Sequence, residues 1–492
     1  MHNKSWFLSV CLGLLGLLVG GAVMGVAFRN PAHIPPLKVT GDVANVLNLQ
    51  DPERLGKLEK VTCQGTRYQA VKLADIITKA SPLANAGQLY LVGLDGFTSA
   101  IKAADIDDCY IAFTAKNGWE AVNLAHPNSS NVKFLTEIVV VSDGGSKYFA
   151  FNVINPDTDL VQITPGQLLA GPLTLYPYAE GKAVVQNGGK DYEAQVFTRR
   201  RVFRISDLTP LQDGDTLLVM DEKGEYRLVD DGGYFEVRDN YINYLQPDTR
   251  TKLEKVKGVI VHPPATSITD AYYDAQHYLE SGDKLLMVVL DGLTYQQYSY
   301  AFANGYAPFL KNAGKAVQAW GVYPVENNVG LAALLTGKAP QENGVITDQD
   351  RELKAPSIYA EVNMLNKKAV FLDAAENGLD TEIQPVSIHD KNADGSADDE
   401  LFEATLDTLE QGYDLLTVRF HGIDDAGQRY GPLARETMQS ISATDKYLSE
   451  IVSRWPGKVI ITGTQGSGAG ESAGSQEVFK NEVMFVPYLR LR

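Results

Sequence analysis

Apolar runs alternate with polar segments in two different ways along this chain. Beyond residue 264, short continuous apolar runs are each followed by a helical pattern. Such runs are typical of strands buried on both faces, and their alternation with helices favours a parallel sheet with crossover helices. We therefore predict an α/β domain over residues 265–492, with strands at 285–290, 369–372, 415–420 and 459–462 and helices at 295–311, 330–335 and 401–409.

The preceding part of the chain is richer in strand patterns. Residues 31–134 combine short β-rich runs with one helical pattern at 68–79 and a buried strand at 89–94. Residues 135–264 carry strand patterns at 137–141, 148–153, 217–220 and 259–262, separated by glycine pairs. A proline pair after His262 is typical of a linker. Two β-rich α+β modules are thus expected before the α/β domain.

The first 30 residues form a separate segment. Residues 6–28 are apolar or small apart from Ser9, and Arg29 closes the run. At ~1.5 Å per residue a helix of this length crosses a hydrocarbon layer of about 30 Å. We expect an uncleaved, single-pass anchor in the cell membrane with the other domains outside the cytoplasm. Cleavage near Ala22, which would release a secreted protein, is the alternative.

Composition narrows the possible partners. The 44 lysines and arginines against 61 aspartates and glutamates give a net charge of −17, which argues against binding to nucleic acid. Three cysteines exclude a disulfide scaffold. Outside the cytoplasm Cys63 and Cys109 would be able to pair, although sequence does not fix their separation.

Polar motifs follow the predicted strands, at the edge where sites of parallel sheets gather. Asp291-Gly292 ends the first strand, Tyr323-Pro324 precedes a helix that runs towards Thr336-Gly337, and the segments 420–432 and 459–467 read FHGIDDAGQRYGP and VIITGTQGS. In this order the motifs resemble the alkaline phosphatase superfamily, in particular its type I phosphodiesterase and nucleotide pyrophosphatase branch, over about residues 284–492. The resemblance implies a pair of zinc ions that clamps a phosphoryl or sulfuryl group and a threonine or serine nucleophile at a helix N-terminus.

The sequence departs from the family pattern at most of the reactive positions. Asp291 and Asp424 match two metal-binding aspartates, but the nucleophile position holds Asn327, whose amide does not ionise to an attacking oxygen. Gln428 replaces a histidine, Thr464 and Gln465 replace an Asp-His pair, and the last histidine ligand would fall near Gln476. Zinc prefers imidazole, thiolate or carboxylate to a neutral amide oxygen. We therefore expect the zinc pair to be lost.

A polar pocket is expected to remain where the zinc pair would lie. Asn328, Gln428, Thr464 and Gln465 are its predicted lining, beside Asn327. Asp291 and Asp424 either bind a residual cation or accept hydrogen bonds from loop amides. His421 is interpreted as a structural histidine, with base or ligand as the alternative, whereas Thr336 is expected to pack and Thr294 is a weak candidate for the pocket.

A second cation motif precedes the helix predicted at 401–409. Side-chain oxygens at loop positions one, three and five and glycine at position six match the start of an EF-hand-like loop. Calcium is therefore possible here, although leucine stands at position twelve. The alternative is an acidic turn that caps the next helix. The predicted calcium ligands are Asp390, Asn392, Asp394, Ser396 and Asp398, with Asp399 or Glu400 closing the shell.

Residues 39–113 are similar to the small β-rich fold of sulfite-oxidase-like, molybdopterin-binding oxidoreductases. That resemblance implies a cysteine thiolate that holds the metal, at Cys63, but the continuation that the family has after its cysteine is absent. A buried thiol is the alternative.

Taken together, these patterns predict a membrane-anchored binding or scaffold protein that recognises a polar ligand or a protein partner. The alternatives are a hydrolase of phosphoric or sulfuric esters that uses another metal through Asp291 and Asp424, and a molybdopterin oxidoreductase.

Overall fold

The computed structural model describes residues 36–50, 55–143, 149–246, 252–374, 378–465 and 479–492. The chain divides into two compact units, Met1–Asp143 and Gly144–Arg492. The apolar run 6–28 and Gln476 lie outside the described residues. Within the described ranges, no helix is both long enough and apolar enough to cross a membrane.

Over residues 36–50 and 55–143, the described part of the first unit, the chain forms two sheets and the α-helix Leu73–Ala80, which buries Leu73, Ile76 and Ala80. A five-stranded sheet has the order Leu47–Leu49, Leu37–Gly41, Leu135–Ser142, Ala86–Gly93 and Thr98–Lys102. A four-stranded antiparallel sheet has the order Glu59–Cys63, Thr66–Lys72, Cys109–Thr114 and Gly118–Asn123.

Two sequence predictions are corrected in this unit. The helix predicted at 68–79 is wrong in its first half, because residues up to Lys72 form a strand that pairs with neighbours on both sides. The module boundary at residue 134 is also wrong. The strand Leu135–Ser142 lies at the centre of the first sheet, between Leu37–Gly41 and Ala86–Gly93, so the module extends to Asp143.

The second unit begins with two five-stranded sheets and a short helix, Pro165–Ala170. One sheet has the order Val161–Ile163, Phe151–Ile154, Val256–Val261, Thr216–Asp221 and Tyr226–Asp230. The other has the order Thr174–Asn187, Lys190–Phe203, Tyr234–Arg238, Tyr241–Leu245 and Lys252–Leu253. Its first two strands form a long, mostly exposed hairpin that turns at Gly188-Gly189, where both glycines have positive φ.

An eight-stranded sheet forms the rest of the second unit and confirms the predicted α/β class. Its order is Thr266–Ser267, Val317–Trp320, Phe485–Leu491, Lys458–Gly463, Leu285–Leu290, Leu415–Phe420, Ala369–Asp373 and Val386–Ser387. All pairings are parallel except those of Phe485–Leu491, which is antiparallel to both neighbours. The helices are Asp270–Glu280, Tyr295–Asn304, Pro308–Ala313, Asn327–Thr336, Pro340–Asn343, Ile358–Met364, Asp398–Leu409, Gly422–Tyr430, Arg435–Arg454 and Asn481–Met484.

The helix predicted at 295–311 is two helices in the structure. Gly305, with φ of 77°, ends Tyr295–Asn304 in a left-handed cap, and Pro308 begins Pro308–Ala313. A glycine cap and a proline at the first helical position are the usual signals for such a break.

Candidate functional site

The site lies where three central strands end side by side. Leu285–Leu290 pairs with Leu415–Phe420 on one side and with Lys458–Gly463 on the other, and their last residues are level with one another. The residues that follow are Asp291, His421 and Thr464. Parallel register therefore brings three polar side chains, distant in sequence, to one sheet edge.

Asp291 is fully buried and accepts hydrogen bonds from three side chains. Its Oδ2 accepts from Arg419 Nε at 2.7 Å and from His421 Nδ1 at 2.9 Å. Its Oδ1 lies 2.9 Å from the hydroxyl of Thr464. Burial alone would raise the pKa of Asp291, but the Arg419 charge and the His421 hydrogen bond outweigh it and hold this pKa below its ordinary value. Asp291 is thus an ionised carboxylate whose neighbours neutralise it.

Arg419 provides most of that neutralisation, and the sequence reasoning missed it. It lies in Leu415–Phe420, whose six residues are all buried, and only 1% of it is exposed. Its Nη1 lies 3.5 Å from Asp373 Oδ2 and its Nη2 lies 3.5 Å from Asn328 Oδ1. The guanidinium therefore lies between two buried carboxylates. An arginine in an otherwise apolar strand is the signal that would have identified it.

Asp424 is the second predicted metal ligand, and it also accepts hydrogen bonds from neighbouring side chains. It lies in the first turn of Gly422–Tyr430 and is 2% exposed. Its Oδ2 accepts from Asn327 Nδ2 and from Gln428 Nε2, each at 2.7 Å. Asn327 and Gln428, which the sequence resemblance sets at the nucleophile position and at a histidine position, thus donate amide hydrogens to this carboxylate. Burial raises the pKa of Asp424, in spite of the nearby His421 charge.

Two of the remaining predicted pocket residues contact other polar groups of the site, and the third has a structural role. The Asn328 backbone amide donates to Asp348 Oδ1 at 2.8 Å, and the Thr464 hydroxyl lies 3.1 Å from Asn327 Oδ1. Gln465 is fully buried, and its Oε1 accepts a hydrogen bond from the Val322 amide at 2.9 Å.

The two other predicted threonines have roles within helices. The Thr336 hydroxyl donates to Ala332 O within its own helix at 2.6 Å. Thr294 caps the helix Tyr295–Asn304 by accepting from the Gln297 amide.

An open cavity of about 700 Å³ lies in front of these groups. His421 faces it with 27% of its side chain exposed, and its Nε2 lies 3.7 Å from Asp425 Oδ1. Burial opposes protonation of His421, but the hydrogen bond and charge of Asp291 outweigh it and raise the His421 pKa to about 9. The histidine is therefore a cation at neutral pH. The polar lining includes Asn327, Asn328, Asp348, His389, Asp390, Arg419, His421, Asp424, Asp425 and Gln428.

The predicted calcium loop lies on the rim of this cavity and is closed by its own hydrogen bonds. Asp390 accepts from the Ala393 and Gly395 amides, and Asn392 Nδ2 donates to Asp399 Oδ2 at 2.8 Å. The loop places four of the five predicted ligands together, namely Asp390, Asn392, Asp394 and Ser396.

Asp398, the fifth predicted ligand, takes another role. Its carboxylate accepts from the His421 and Gly422 amides. Burial raises its pKa to about 6. Asp398 therefore joins the calcium loop to the loop that carries His421.

The donor groups around Asp291 do not suit a metal ion. Within the ranges that the structure describes, no three histidine, cysteine, aspartate or glutamate side chains are arranged to hold a metal ion. At the predicted zinc position, Asp291 is bonded to a guanidinium and to an imidazolium, which are donors and repel a cation. These residues do not fit a zinc pair.

The candidate residues of the first unit are free thiols. Cys63 is half-buried in a hairpin and its sulfur lies 4.0 Å from Asn131 Nδ2. Cys109 is buried, and burial beside several aspartates raises its pKa to about 11. The two cysteines do not form a disulfide in this structure.

Comparison with known proteins gives distant structural likenesses. No protein-family model and no curated protein sequence matches the chain. A phosphonoacetate hydrolase from Sinorhizobium meliloti 1021 is similar, with 19% identity, 37% of this chain and 57% of the other covered, and a TM-score of 0.31. Murine ectonucleotide pyrophosphatase/phosphodiesterase 5 is similar, with 15% identity, 38% and 58% covered, and a TM-score of 0.32. The matched part is thus less than two thirds of either relative.

Proposed function

We propose that this protein is a membrane-anchored, distant member of the alkaline phosphatase superfamily that binds a polar ligand or a protein partner without hydrolysing it. The proposal rests on the motif order in the sequence and on the chemistry of the site. The domains outside the anchor would lie outside the cytoplasm. The ligand would enter the 700 Å³ cavity in front of Asn327 and His421.

The observation that carries the proposal is the contact of Arg419 Nε with Asp291 Oδ2 at 2.7 Å. In the resembling family this aspartate would bind a divalent cation. Here two cationic side chains, Arg419 and His421, neutralise the negative charges of Asp291 and Asp373. Internal cations thus take over the charge compensation that metals would supply, so the fold keeps its shape without them.

Loss of the attacking group supports the same conclusion. Asn327 begins the helix Asn327–Thr336, at the position where the nucleophile of the family would stand. Its side-chain nitrogen donates to Asp424, and its oxygen lies 3.1 Å from the Thr464 hydroxyl. An amide in these contacts has no proton whose loss would generate a nucleophile at neutral pH.

The test is hydrolysis by the full chain with added Zn²⁺, Mn²⁺ or Ca²⁺, using phosphodiester, phosphomonoester and sulfate ester substrates. We expect no turnover above that of the Asp291→Ala variant. Metal-dependent turnover that Asp291→Ala abolishes would favour a hydrolase with another metal instead. Molybdenum in the purified protein would favour the oxidoreductase suggested by the position of Cys63.

Calcium at the loop around Asp390 is a second proposal, which one observation favours. Asp399 Oδ1 and Glu400 Oε2 are buried carboxylate oxygens that accept no hydrogen bond from an amide or hydroxyl of the described residues, and the two carboxylates lie side by side. Calcium also accepts amide, hydroxyl and backbone oxygens, so Asn392 and Ser396 count as ligands. The test is thermal unfolding with millimolar Ca²⁺. A calcium-dependent rise in Tm that the Asp390→Asn variant loses supports the site, and equal Tm values with and without Ca²⁺ contradict it.

A further inference from the structure

The first unit has an apolar end that its fold leaves exposed. Three large side chains lie there: Leu94, Phe97 and Phe134, with exposed fractions of 75%, 48% and 49%. They line one open depression of about 540 Å³ together with Val132. Contiguous exposed apolar surface of this kind marks contact with a partner or a membrane, whereas single exposed apolar residues need no explanation.

The backbone holds this patch, defined as Leu94, Phe97 and Phe134, in a fixed arrangement. The Leu94 amide donates to Phe134 O at 2.9 Å, and Gly93 N donates to Phe97 O at 2.8 Å. Phe134 has a φ of 51°, a conformation that bulky side chains rarely adopt. Backbone strain at an exposed aromatic residue, kept by surrounding hydrogen bonds, is typical of a functional position.

Strand register places the patch beside Pro36, the first residue that the structure describes. The strand Leu37–Gly41 runs parallel to Leu135–Ser142 with Lys38 opposite Glu137, so Pro36 lies level with Leu135. Phe134 is the next residue at that end. The seven residues 29–35 connect Pro36 to the apolar run 6–28 and span about 25 Å at most when extended. The sheet end that carries the patch is therefore within reach of the membrane in which the run 6–28 would lie.

Charged side chains at this end of the sheet also favour a membrane as the partner of the patch. Lys133 lines the depression, and Lys116 lies in the hairpin turn whose Asn117 carbonyl accepts the Phe134 amide. Asp95, which accepts from the Phe97 amide, also lines the depression. Two lysines beside an apolar patch suit the phosphate layer of a bilayer, and phenylalanine and leucine side chains suit the boundary between headgroups and acyl chains.

We infer that Leu94, Phe97 and Phe134 dock the first unit onto the phospholipid bilayer, with the rings in the interfacial layer. The inference rests on the proposed membrane anchor and adds a second contact, which fixes the orientation of the first unit relative to the membrane. Anchor and patch together would act as two linked membrane contacts, so the patch needs little affinity of its own.

The test uses the full chain reconstituted in phosphatidylcholine vesicles. An environment-sensitive fluorophore is attached to a cysteine at Phe97→Cys or Phe134→Cys, in a Cys11→Ser, Cys63→Ser background that keeps the fully buried Cys109. Leu83→Cys is the matched control. Leu83 is 42% exposed, and its amide donates to Asp42 O at the opposite end of the sheet.

We expect a lipid-borne quencher to remove about half or more of the emission at 97 and 134 and little at 83, because interfacial side chains lie ~5–10 Å into the headgroup and acyl boundary. A blue shift at 97 without lipid quenching would show that protein covers the patch and would overturn the inference. Equal quenching at 97, 134 and 83 would overturn it as well.

Flotation of the same vesicles after a carbonate wash tests the anchor separately. A chain that floats but is not quenched at 97 and 134 overturns the inference alone. A chain that does not float overturns the anchor, and the inference with it.

Discussion

Replacing Arg419 by leucine removes the guanidinium that contacts both Asp291 and Asp373. Leucine retains apolar contacts along the strand Leu415–Phe420 but leaves two carboxylates, 0% and 1% exposed, beside an uncharged side chain. Breaking a buried ion pair by removing one partner costs about 3–5 kcal/mol. We expect Arg419→Leu to lower the free energy of unfolding of the second unit by this amount. His421, which still donates to Asp291, favours the lower end of the range.

A rescue variant separates charge from packing. Adding Asp291→Asn to Arg419→Leu removes one of the two carboxylates that lose the guanidinium, so the double variant is expected to be more stable than Arg419→Leu alone. The matched control is Arg454→Leu. Arg454 is exposed and pairs with Glu450 one helical turn away. Loss of such a surface pair changes the free energy of unfolding by about 0.5 kcal/mol or less.

The assay must report on the second unit alone, because the chain has two compact units. Native-state hydrogen exchange, read by mass spectrometry on peptides that cover Leu285–Leu290 and Leu415–Phe420, gives the opening free energy of the central strands. A loss for Arg419→Leu no larger than that for Arg454→Leu would refute the reasoning. The absence of rescue by Asp291→Asn would refute the assignment of the loss to the missing guanidinium charge.

Three further predictions concern the same loops. The His421 pKa, raised to about 9, lies above its unfolded value of about 6.5. The protonated His421 therefore contributes fully to stability below pH 6.5, and this contribution is lost as pH rises through 9. In denaturant titrations the stability difference between wild type and His421→Asn should shrink from about pH 6.5 to about pH 9, and a constant difference would contradict this. Gly292→Ala should lower the free energy of unfolding by at least about 1 kcal/mol more than Gly305→Ala in the same titrations. Gly292 has a φ of 75° and Gly305 a φ of 77°, but only at position 292 would an added Cβ clash with another residue, since it would lie 2.7 Å from Asp424 Cα. Equal losses for the two variants would contradict the clash. The variant Asn327→Thr, which places a hydroxyl at the proposed nucleophile position, should give no ester hydrolysis with Zn²⁺, because the proposed site still lacks zinc ligands. Turnover by this variant would contradict the proposal that the site does not bind zinc.

The sequence predicted the central strands well because their burial is uniform. Leu285–Leu290 and Leu415–Phe420 have the predicted bounds, because both are short, mostly apolar segments with turn or helix signals on either side. The segment 68–72 shows the opposite case. Its apolar spacing suits a helix, but pairing with two neighbouring strands decides its structure. Tertiary pairing of this kind is not encoded in local periodicity.

The candidate site was predicted in part. The sequence placed Asp291, Asn327 and Asp424 in one family-like pattern, and the structure brings their side chains together through hydrogen bonds. It did not identify Arg419 as the partner of Asp291. That contact depends on which strands are neighbours in the sheet, and strand order is not legible in a single sequence. Gln465 was placed in the pocket, but it does not line the cavity, and its side chain accepts a hydrogen bond from the Val322 amide.

The most direct test of the central claim is zinc titration of the purified full chain by calorimetry, with elemental analysis of the dialysed protein. Arg419 and His421 both donate to Oδ2 of Asp291 and the Thr464 hydroxyl donates to Oδ1, so two positive charges and a hydroxyl proton face the carboxylate that zinc would need. We predict no tightly bound zinc at this site and no change when Asp291 is replaced by asparagine. Two zinc ions per chain, retained through dialysis and lost in Asp291→Asn, would contradict the account.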